Sequence, residues 1–238
     1  MPASPVAKMA DMGPSPDAVL TELHGRISHC RRCVEVGLLA RAAPVLPAAL
    51  RSSVVLVGQA PGRVEEGRGR PFSGRAGRQL FRWLAQAGAG DERQARSLIY
   101  LTSITKCFPG PAPSGAGDRR PSAIEVGLCR PHLDAQLDRL RPNLVLAVGQ
   151  LAIIRFLGSR PMGELVGRLF DGDGTEIPIE AGAVVTGRRT PLILPLPHPS
   201  GASRWLNQEG NRALLLVALE RLRSLLSDTS VSNRVRSE

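Results

Sequence analysis

The sequence predicts one α/β domain in which a central, mostly parallel four-stranded sheet lies between two layers of helices. Short continuous apolar runs alternate along the chain with longer segments whose apolar residues follow a helical spacing. Continuous apolar runs are typical of strands buried on both faces, and such strands form parallel sheets covered by helices. The chain has 238 residues, 42% of them hydrophobic, which is enough for one buried core.

Four strands and several helices follow from these patterns. The predicted strands cover residues 54–57, 98–104, 144–148 and 192–194. Helices are predicted after Asp17, near 76–87, over 122–140, from 149 onward and over about 208–226. The segment 63–74 is predicted to be a polar loop, and the Pro/Gly-rich segment 108–120 is a loop long enough to carry function.

The two ends of the chain differ in composition from the rest. Residues 1–15 are rich in Pro, Ala and Ser, and residues 228–238 are polar and charged, so we expect disordered tails around a domain at 16–227. The chain has no run of about 18 apolar residues, and its N-terminus lacks the features of a signal peptide. We therefore expect a cytoplasmic monomer without a membrane partner.

The charge balance is strongly basic. There are 31 Lys and Arg residues against 21 Asp and Glu residues, a formal net charge of +10, and Lys8 and Lys106 are the only lysines. A basic surface suits a polyanionic partner such as nucleic acid. A genome rich in G and C also favours arginine, so the charge alone does not decide the function.

Polar residues follow three of the predicted strands. Gln59 comes just after the first strand, Ser103 lies at the end of the second, and His198 follows the fourth. In an open parallel sheet, ligands bind beyond the carboxyl ends of the strands. The sequence therefore predicts a functional site at this edge.

The four cysteines indicate a metal or cluster site. They are Cys30 and Cys33, in a C-x-x-C pattern, followed by Cys107 and Cys129. Disulfides are rare in a reducing compartment, where a C-x-x-C pair more often binds a metal. Four thiolates can hold zinc as well as an iron–sulfur cluster, so the residues alone leave both open.

Four motifs, in this order, resemble those of the family 4 uracil-DNA glycosylases. They are Gly58-Gln-Ala-Pro-Gly62, Gly69-Arg-Pro-Phe-Ser-Gly74 with Ala76-Gly77, Tyr100-Leu-Thr-Ser-Ile-Thr-Lys-Cys107, and Pro197-His-Pro-Ser200. The resemblance covers roughly residues 20–225 and includes the order of the cysteines. It implies a DNA repair enzyme that flips uracil out of uracil-containing DNA and hydrolyses its N-glycosidic bond, which leaves an abasic site.

The same resemblance implies the cofactor and its ligands. The family carries a 4Fe-4S cluster, which favours the cluster over zinc on Cys30, Cys33, Cys107 and Cys129. The expected role is structural, because these ligands tie together segments that are distant in sequence.

The resemblance also implies catalytic residues. His198 is expected to donate to uracil O2 and to stabilise the departing base anion. Glu65 matches the family's loop acid that orients water, with Glu66 as the alternative. The family has Glu where this chain has Gln59, and family 1 enzymes place a catalytic Asp where this chain has Ala60. The carboxylate therefore cannot come from position 60, and Gln59 stays a candidate for catalysis and base binding.

The base pocket departs from the family at one position. Phe72 matches the phenylalanine that stacks on the flipped base, whereas Ser103 stands where the family has an Asn. One hydroxyl cannot reproduce the two contacts of an amide. The pocket is therefore expected to admit other deaminated bases, or to use a backbone amide and Gln59 at the base edge.

The segment after His198 is expected to contact DNA. Ser200 and Ser203 are candidates for binding flanking phosphates, and Arg204, Trp205 or Leu206 is expected to wedge into the duplex. The alternative is that Trp205 and Leu206 simply pack the last helix.

Two further functions stay open from the sequence. One is a glycosylase with another substrate, such as hypoxanthine or xanthine, or one that becomes covalently attached to its product. The other is a non-catalytic protein that binds damaged or single-stranded DNA, which the missing carboxylate at Ala60 and the missing amide at Ser103 would fit.

Overall fold

The computed structural model describes residues 16–115, 117–178, 190–200 and 204–227, so the predicted tails lie outside the described residues. Its central sheet contains β1 (Val54–Gly58), β2 (Ile99–Ser103), β3 (Leu144–Val148) and β4 (Leu192–Leu196). The order across the sheet is β2-β1-β3-β4, and all neighbouring strands are parallel. The four predicted strands are confirmed.

Helices flank the sheet and connect its strands. They are α1 (Pro16–Ser28), α2 (Arg32–Glu35), α3 (Arg63–Arg68), α4 (Arg75–Gln86), α5 (Glu92–Leu98), α6 (Ala123–Leu140), α7 (Gln150–Leu157), α8 (Met162–Leu165) and α9 (Glu209–Ser227). The longer ones confirm the predicted helices. None of the helices in the described segments is long and apolar enough to span a bilayer.

The prediction of a continuous loop over 63–74 was wrong, because α3 occupies part of it, and α2, α5 and α8 were missed. α3 begins after Gly62, whose N–H donates to Glu65 Oε2 at 3.2 Å. α5 begins after Asp91, whose carboxylate accepts from the Gln94 N–H at 2.8 Å. Helices of six and seven residues are too short to show an apolar period, so capping is the signal that marks them.

The start of α6 fixes the end of the 108–120 loop. Ser122 and Glu125 form a reciprocal capping box, with bonds of 3.2 and 2.7 Å. Both carboxylate oxygens of Glu125 also accept from Arg119 at 2.7 Å. Burial acts to raise the pKa of Glu125, but Arg119 and Ser122 outweigh it and hold the pKa below its usual value. The loop is thereby anchored to α6.

Alternate residues of β1 face opposite layers. Val54 and Leu56 belong to an apolar cluster that includes residues of α4 and α9. Val55 and Val57 belong to a second cluster, which includes residues of α1, α6 and α7. Because successive strand residues point to opposite faces, the sheet has a buried core on each side. The predicted three-layer α/β/α fold is confirmed.

Candidate functional site

The turn after β1 and the chain after β2 are joined by backbone hydrogen bonds. The Ile104 N–H donates to the Gly58 carbonyl at 2.9 Å, and the Thr105 N–H donates to the Gln59 carbonyl at 3.2 Å. Gly58 and Ser103 are paired in the strand register. Gln59 and Ser103 therefore lie on neighbouring strand ends, and His198 follows β4 at the same edge, as the sequence predicts.

His198 is held by its own turn. Its Nδ1 accepts from the Ser200 N–H at 3.2 Å and contacts Ser200 Oγ at 2.8 Å. Its Cδ2 lies 3.1 Å from the position that a β-carbon on Gly149 would take, directly beyond β3. Burial lowers the pKa of the imidazole. Because a backbone N–H can only donate, Nδ1 carries no proton, and the neutral ring bears its proton on Nε2.

Phe72 is fixed in an uncommon backbone conformation. Its φ of 53° lies in the left-handed region. Its carbonyl oxygen lies 1.9 Å from where a β-carbon on Gly77 would be, so only glycine fits there. Arg96 donates to the Pro71 and Phe72 carbonyls at 2.9 and 3.1 Å. The half-buried ring reaches the end of β1, with Cζ 2.7 Å from the β-carbon position of Gly58.

Ser103 uses its hydroxyl proton within its own backbone turn. The side chain is buried, and Oγ donates to the Thr105 carbonyl at 2.7 Å. The Ser103 carbonyl accepts from Lys106 Nζ. In this arrangement the hydroxyl oxygen is left as an acceptor for a ligand and supplies no second donor.

A chain of buried hydrogen bonds lies behind Ser103. Lys106 Nζ donates to Thr102 Oγ1 at 3.0 Å, Thr102 donates to Gln136 Oε1 at 3.0 Å, and Gln136 donates to the Tyr100 hydroxyl at 2.6 Å. The Tyr100 hydroxyl lies 2.6 Å from His24 Nε2. Burial lowers the pKa of Lys106 to about 8. The chain joins α1, β2 and α6 beneath the strand ends.

Glu65 and Glu66 have different partners. Glu65 accepts from the Gly62 N–H at 3.2 Å and from the Gly74 N–H at 2.7 Å, so it bridges the first turn and the Phe72 segment. Glu66 is paired with Arg41 at 2.5 Å. Glu65 is thus fixed by main-chain donors, whereas Glu66 belongs to a surface ion pair.

A second carboxylate, Asp118, lies beside Glu65. Asp118 Oδ2 and Glu65 Oε2 lie 2.6 and 2.8 Å from the position of a β-carbon on Gly62. A backbone hydrogen bond from Arg63 reaches Asp118. Burial, with the nearby Glu65 charge, raises the pKa of Asp118. The 108–120 loop therefore delivers an acid to the turn after β1.

The residues expected to contact DNA are only partly described. Ser200 lies against His198, and Ser203 lies outside the described residues. Arg204 is exposed in a 3₁₀ turn, while Trp205 and Leu206 are half-buried and pack against the core on the α9 side. This packing agrees with the alternative prediction, in which Trp205 and Leu206 pack against the last helix and do not enter the duplex.

The four cysteines line one cavity between α1, α2, α6 and the end of β2. The Lys106 N–H donates to Cys129 Sγ at 3.2 Å, and a backbone hydrogen bond from Ala43 reaches Cys107. Burial raises the pKa of Cys107 to about 12 and also raises that of Cys129. Over the described segments, no three His, Cys, Asp or Glu side chains converge closely enough to hold a single metal ion. The thiols share a cavity without forming a closed ligand set.

The family model of the uracil DNA glycosylase superfamily matches residues 46–223, which is more than half of the chain. The chain belongs to the uracil-DNA glycosylase superfamily. The match contains the strand ends, Glu65, Phe72, His198 and two of the cysteines, whereas Cys30 and Cys33 precede it.

Curated relatives place the chain more closely within this superfamily. It is 30% identical over 166 residues to the type-4 uracil-DNA glycosylase of Pyrobaculum aerophilum, covering 68% of this chain and 79% of the relative. It is 28% identical over 177 residues to the type-4 enzyme of Thermotoga maritima, covering 74% and 79%. A type-5 uracil-DNA glycosylase of Pyrobaculum aerophilum is 31% identical over 141 residues, covering 54% and 59%.

In this superfamily member, sequence reasoning missed three residues around the site. Arg96 clamps the Phe72 segment, Lys106 supports Ser103, and Asp118 accompanies Glu65. Lys106 stands inside a recognised motif, and Asp118 lies in a loop long enough to carry function, so both had a weak signal. The contact of Arg96 with a loop 24 residues earlier has no counterpart in the local sequence.

Proposed function

We propose that this chain excises uracil from DNA by hydrolysing its N-glycosidic bond, which leaves an abasic site. Superfamily membership and the type-4 relatives support this function. The observation that carries it is the geometry of His198, whose Nδ1 accepts from the Ser200 N–H, so that the ring proton lies on Nε2 at the strand ends.

The donor acts on the leaving base. Cleavage of the glycosidic bond leaves negative charge on uracil, much of it on O2. A fixed N–H donor stabilises this charge as it develops and needs no reorganisation during the reaction. Because burial keeps the pKa of His198 low, the group that donates is neutral imidazole. His198 is therefore proposed as the anion-stabilising residue.

Phe72 and the turn after β1 are proposed to hold the flipped base. The half-buried ring of Phe72 stands at the end of β1 and packs in part against the core cluster that contains Leu56. Its remaining surface is proposed to stack on the base. Gln59 and Ala60 form the adjacent wall of the turn, with Ala60 contributing no carboxylate. Stacking binds a base without selecting it, because every base has a π-face.

Glu65 is proposed to orient the attacking water. Two main-chain N–H donors hold its carboxylate in place, and each oxygen keeps a further lone pair for a water molecule. Glu66, the alternative, has its carboxylate engaged by Arg41. Asp118 is the neighbouring acid that would take over the role if Glu65 serves only to hold the loop.

Ser103 supports a second candidate function, a glycosylase that also accepts other deaminated bases. Its hydroxyl donates to the Thr105 carbonyl and leaves one acceptor toward the base. An acceptor alone binds uracil N3–H but does not satisfy O4. Discrimination between bases should therefore be weaker than a pocket amide provides.

DNA binding is proposed at the segment that follows His198. Arg204 is exposed in the 3₁₀ turn before α9 and is suited to a phosphate or to the gap left by the base. Ser200, Ser203 and Trp205 complete the proposed contact surface. The net charge of +10 favours the association with DNA.

A 4Fe-4S cluster on Cys30, Cys33, Cys107 and Cys129 is the proposed cofactor. The four thiols share one cavity, and the backbone N–H groups of Lys106 and Ala43 donate to Cys129 and Cys107. These features fit a group with anionic sulfur. When bound, the cluster would cross-link the α1–α2 segment, the end of β2 and α6, which gives it a structural role.

The function is tested with oligonucleotides that carry one uracil. Wild-type protein and the His198→Ala variant are incubated with single-stranded and duplex substrates, and abasic sites are then cleaved with alkali. We expect cleavage at uracil by the wild type, none at thymine, and a strong loss in the variant. Binding without cleavage at uracil, hypoxanthine or xanthine would establish a non-catalytic DNA-binding protein instead.

A further inference from the structure

Two buried polar atoms at the cysteine cavity have no hydrogen-bond partner among the described residues. They are Thr105 Oγ1 and His132 Nε2. Both residues line the cavity that the four cysteines share. Thr105 precedes Cys107 by two residues, and His132 follows Cys129 by one turn of α6. Buried polar atoms in folded proteins nearly always have partners, so these two indicate a group that occupies the cavity.

The surroundings of the cavity favour an anionic acceptor as that group. Arg31, Arg32 and Lys106 line it, whereas the carboxylate of Glu125 is already paired with Arg119. Backbone N–H groups point at two of the cysteine sulfurs. Hydroxyl and imidazole N–H groups are hydrogen-bond donors of the kind that surround cluster sulfurs in proteins.

We propose that the Thr105 hydroxyl and the His132 Nε2–H donate hydrogen bonds to sulfurs of the iron–sulfur cluster and raise its reduction potential. The proposal rests on the cofactor assigned above. Reduction adds one negative charge to the cluster, and hydrogen bonds to its sulfurs stabilise that charge. Removing a donor therefore makes the cluster harder to reduce.

Thr105 also touches the base side of the site through its backbone. Its N–H donates to the Gln59 carbonyl, and its carbonyl accepts from Ser103 Oγ. A Thr105→Val variant removes the hydroxyl but keeps both backbone contacts and nearly the same shape. The readout is therefore the reduction midpoint of the cluster, which reports on the hydroxyl, and not the rate of uracil excision.

The test measures the reduction midpoint of the bound cluster. Wild type, Thr105→Val, Thr105→Ser and His132→Phe are purified, assayed for iron and sulfide, and titrated with dithionite. We expect Thr105→Val and His132→Phe each to lower the equilibrium constant for reduction by up to about tenfold, which is 59 mV for one electron. Thr105→Ser keeps a hydroxyl and should retain the wild-type midpoint. Thr175→Val is the control, because Thr175 is exposed and lies off the cavity.

Iron content and reduction midpoint together distinguish the proposed hydrogen bonds from the cofactor itself. Unchanged midpoints in Thr105→Val and His132→Phe, with wild-type iron content, would overturn the proposal and leave the cofactor in place. Wild-type protein without iron would overturn the cofactor and the proposal together, while uracil excision would still report on the enzyme. If Thr105→Val does not bind the cluster, Thr105→Ala is measured instead. A cluster that forms with Ser but with neither Val nor Ala would support the hydroxyl as its donor.

Discussion

The strand-end pocket and the cysteine cavity are assembled in different ways. The pocket residues Gln59, Ser103 and His198 follow strands of one parallel sheet, and backbone or side-chain hydrogen bonds already hold them. The cysteines come from the α1–α2 segment, the end of β2 and α6, and two polar atoms beside them have no partner within the described part of the chain. Hydrogen bonds within the fold thus pre-organise the strand ends, whereas the cavity keeps polar atoms that the proposed cofactor would engage.

The largest effect is expected from breaking the cysteine cavity. Cys107→Ser should lose the cluster, from about four irons per chain to almost none, and should lower the melting temperature, because three segments lose their cross-link. Iron analysis, the visible spectrum and thermal unfolding measure this. A colourless wild-type protein with one tightly bound zinc would contradict the cluster.

A substitution at the strand ends should reduce uracil excision and leave the cysteine cavity intact. His198→Ala should slow uracil excision by about 10²–10³-fold, because one donor to a developing anion contributes roughly 3–4 kcal/mol. Single-turnover rates measure the effect, while iron content and DNA affinity should match wild type. Wild-type rates in this variant would remove His198 from the anion-stabilising role.

The next effect concerns the acids beside Gly62. Glu65→Gln should slow excision by about a hundredfold, at the low end of what a positioned base supplies, with little change in DNA affinity. Asp118→Asn is the matched comparison, since its carboxylate lies beside the same glycine. A loss confined to Asp118→Asn would transfer the water-orienting role to that residue.

A smaller effect is expected at Ser103. Ser103→Asn should preserve or improve the kcat/KM for uracil, with the uracil-to-hypoxanthine ratio rising by about tenfold, because an amide meets both N3–H and O4. The values are compared with wild type on both substrates. A tenfold loss on uracil would instead show that the pocket has been rebuilt around the serine and its bond to the Thr105 carbonyl.

The smallest effect concerns pH. Because burial lowers the pKa of His198, the neutral donor persists below the ordinary histidine value of about 6.5. Single-turnover excision should therefore stay level as pH falls through 6.5 and decline only at lower pH, when Nδ1 gains a proton and loses the Ser200 N–H. A decline centred above 6.5 would contradict the neutral-donor role.

Short local patterns predicted the residues at the strand ends better than the residues that contact them from other segments. Ser103 and His198 were found because the carboxyl ends of parallel strands meet at one edge, whatever their separation in sequence. Arg96 and Asp118 were not, because each reaches its target from a different segment through a contact that packing creates. The helices α2, α3, α5 and α8 were missed for another reason, since helices of four to seven residues are too short to show an apolar period.

The sequence by itself determined the α/β class, the four strands and the sheet edge at which Gln59, Ser103 and His198 lie. These follow from apolar periodicity and from residue types at strand ends, which are local properties. Only the tertiary structure decided that the Ser200 N–H fixes the tautomer of His198 and that the Thr105 carbonyl occupies the Ser103 hydroxyl. It also placed beside the cysteines two buried polar atoms, Thr105 Oγ1 and His132 Nε2, that find no partner in the segments described. Hydrogen bonds and burial depend on which segments meet in space, and a linear pattern does not specify that.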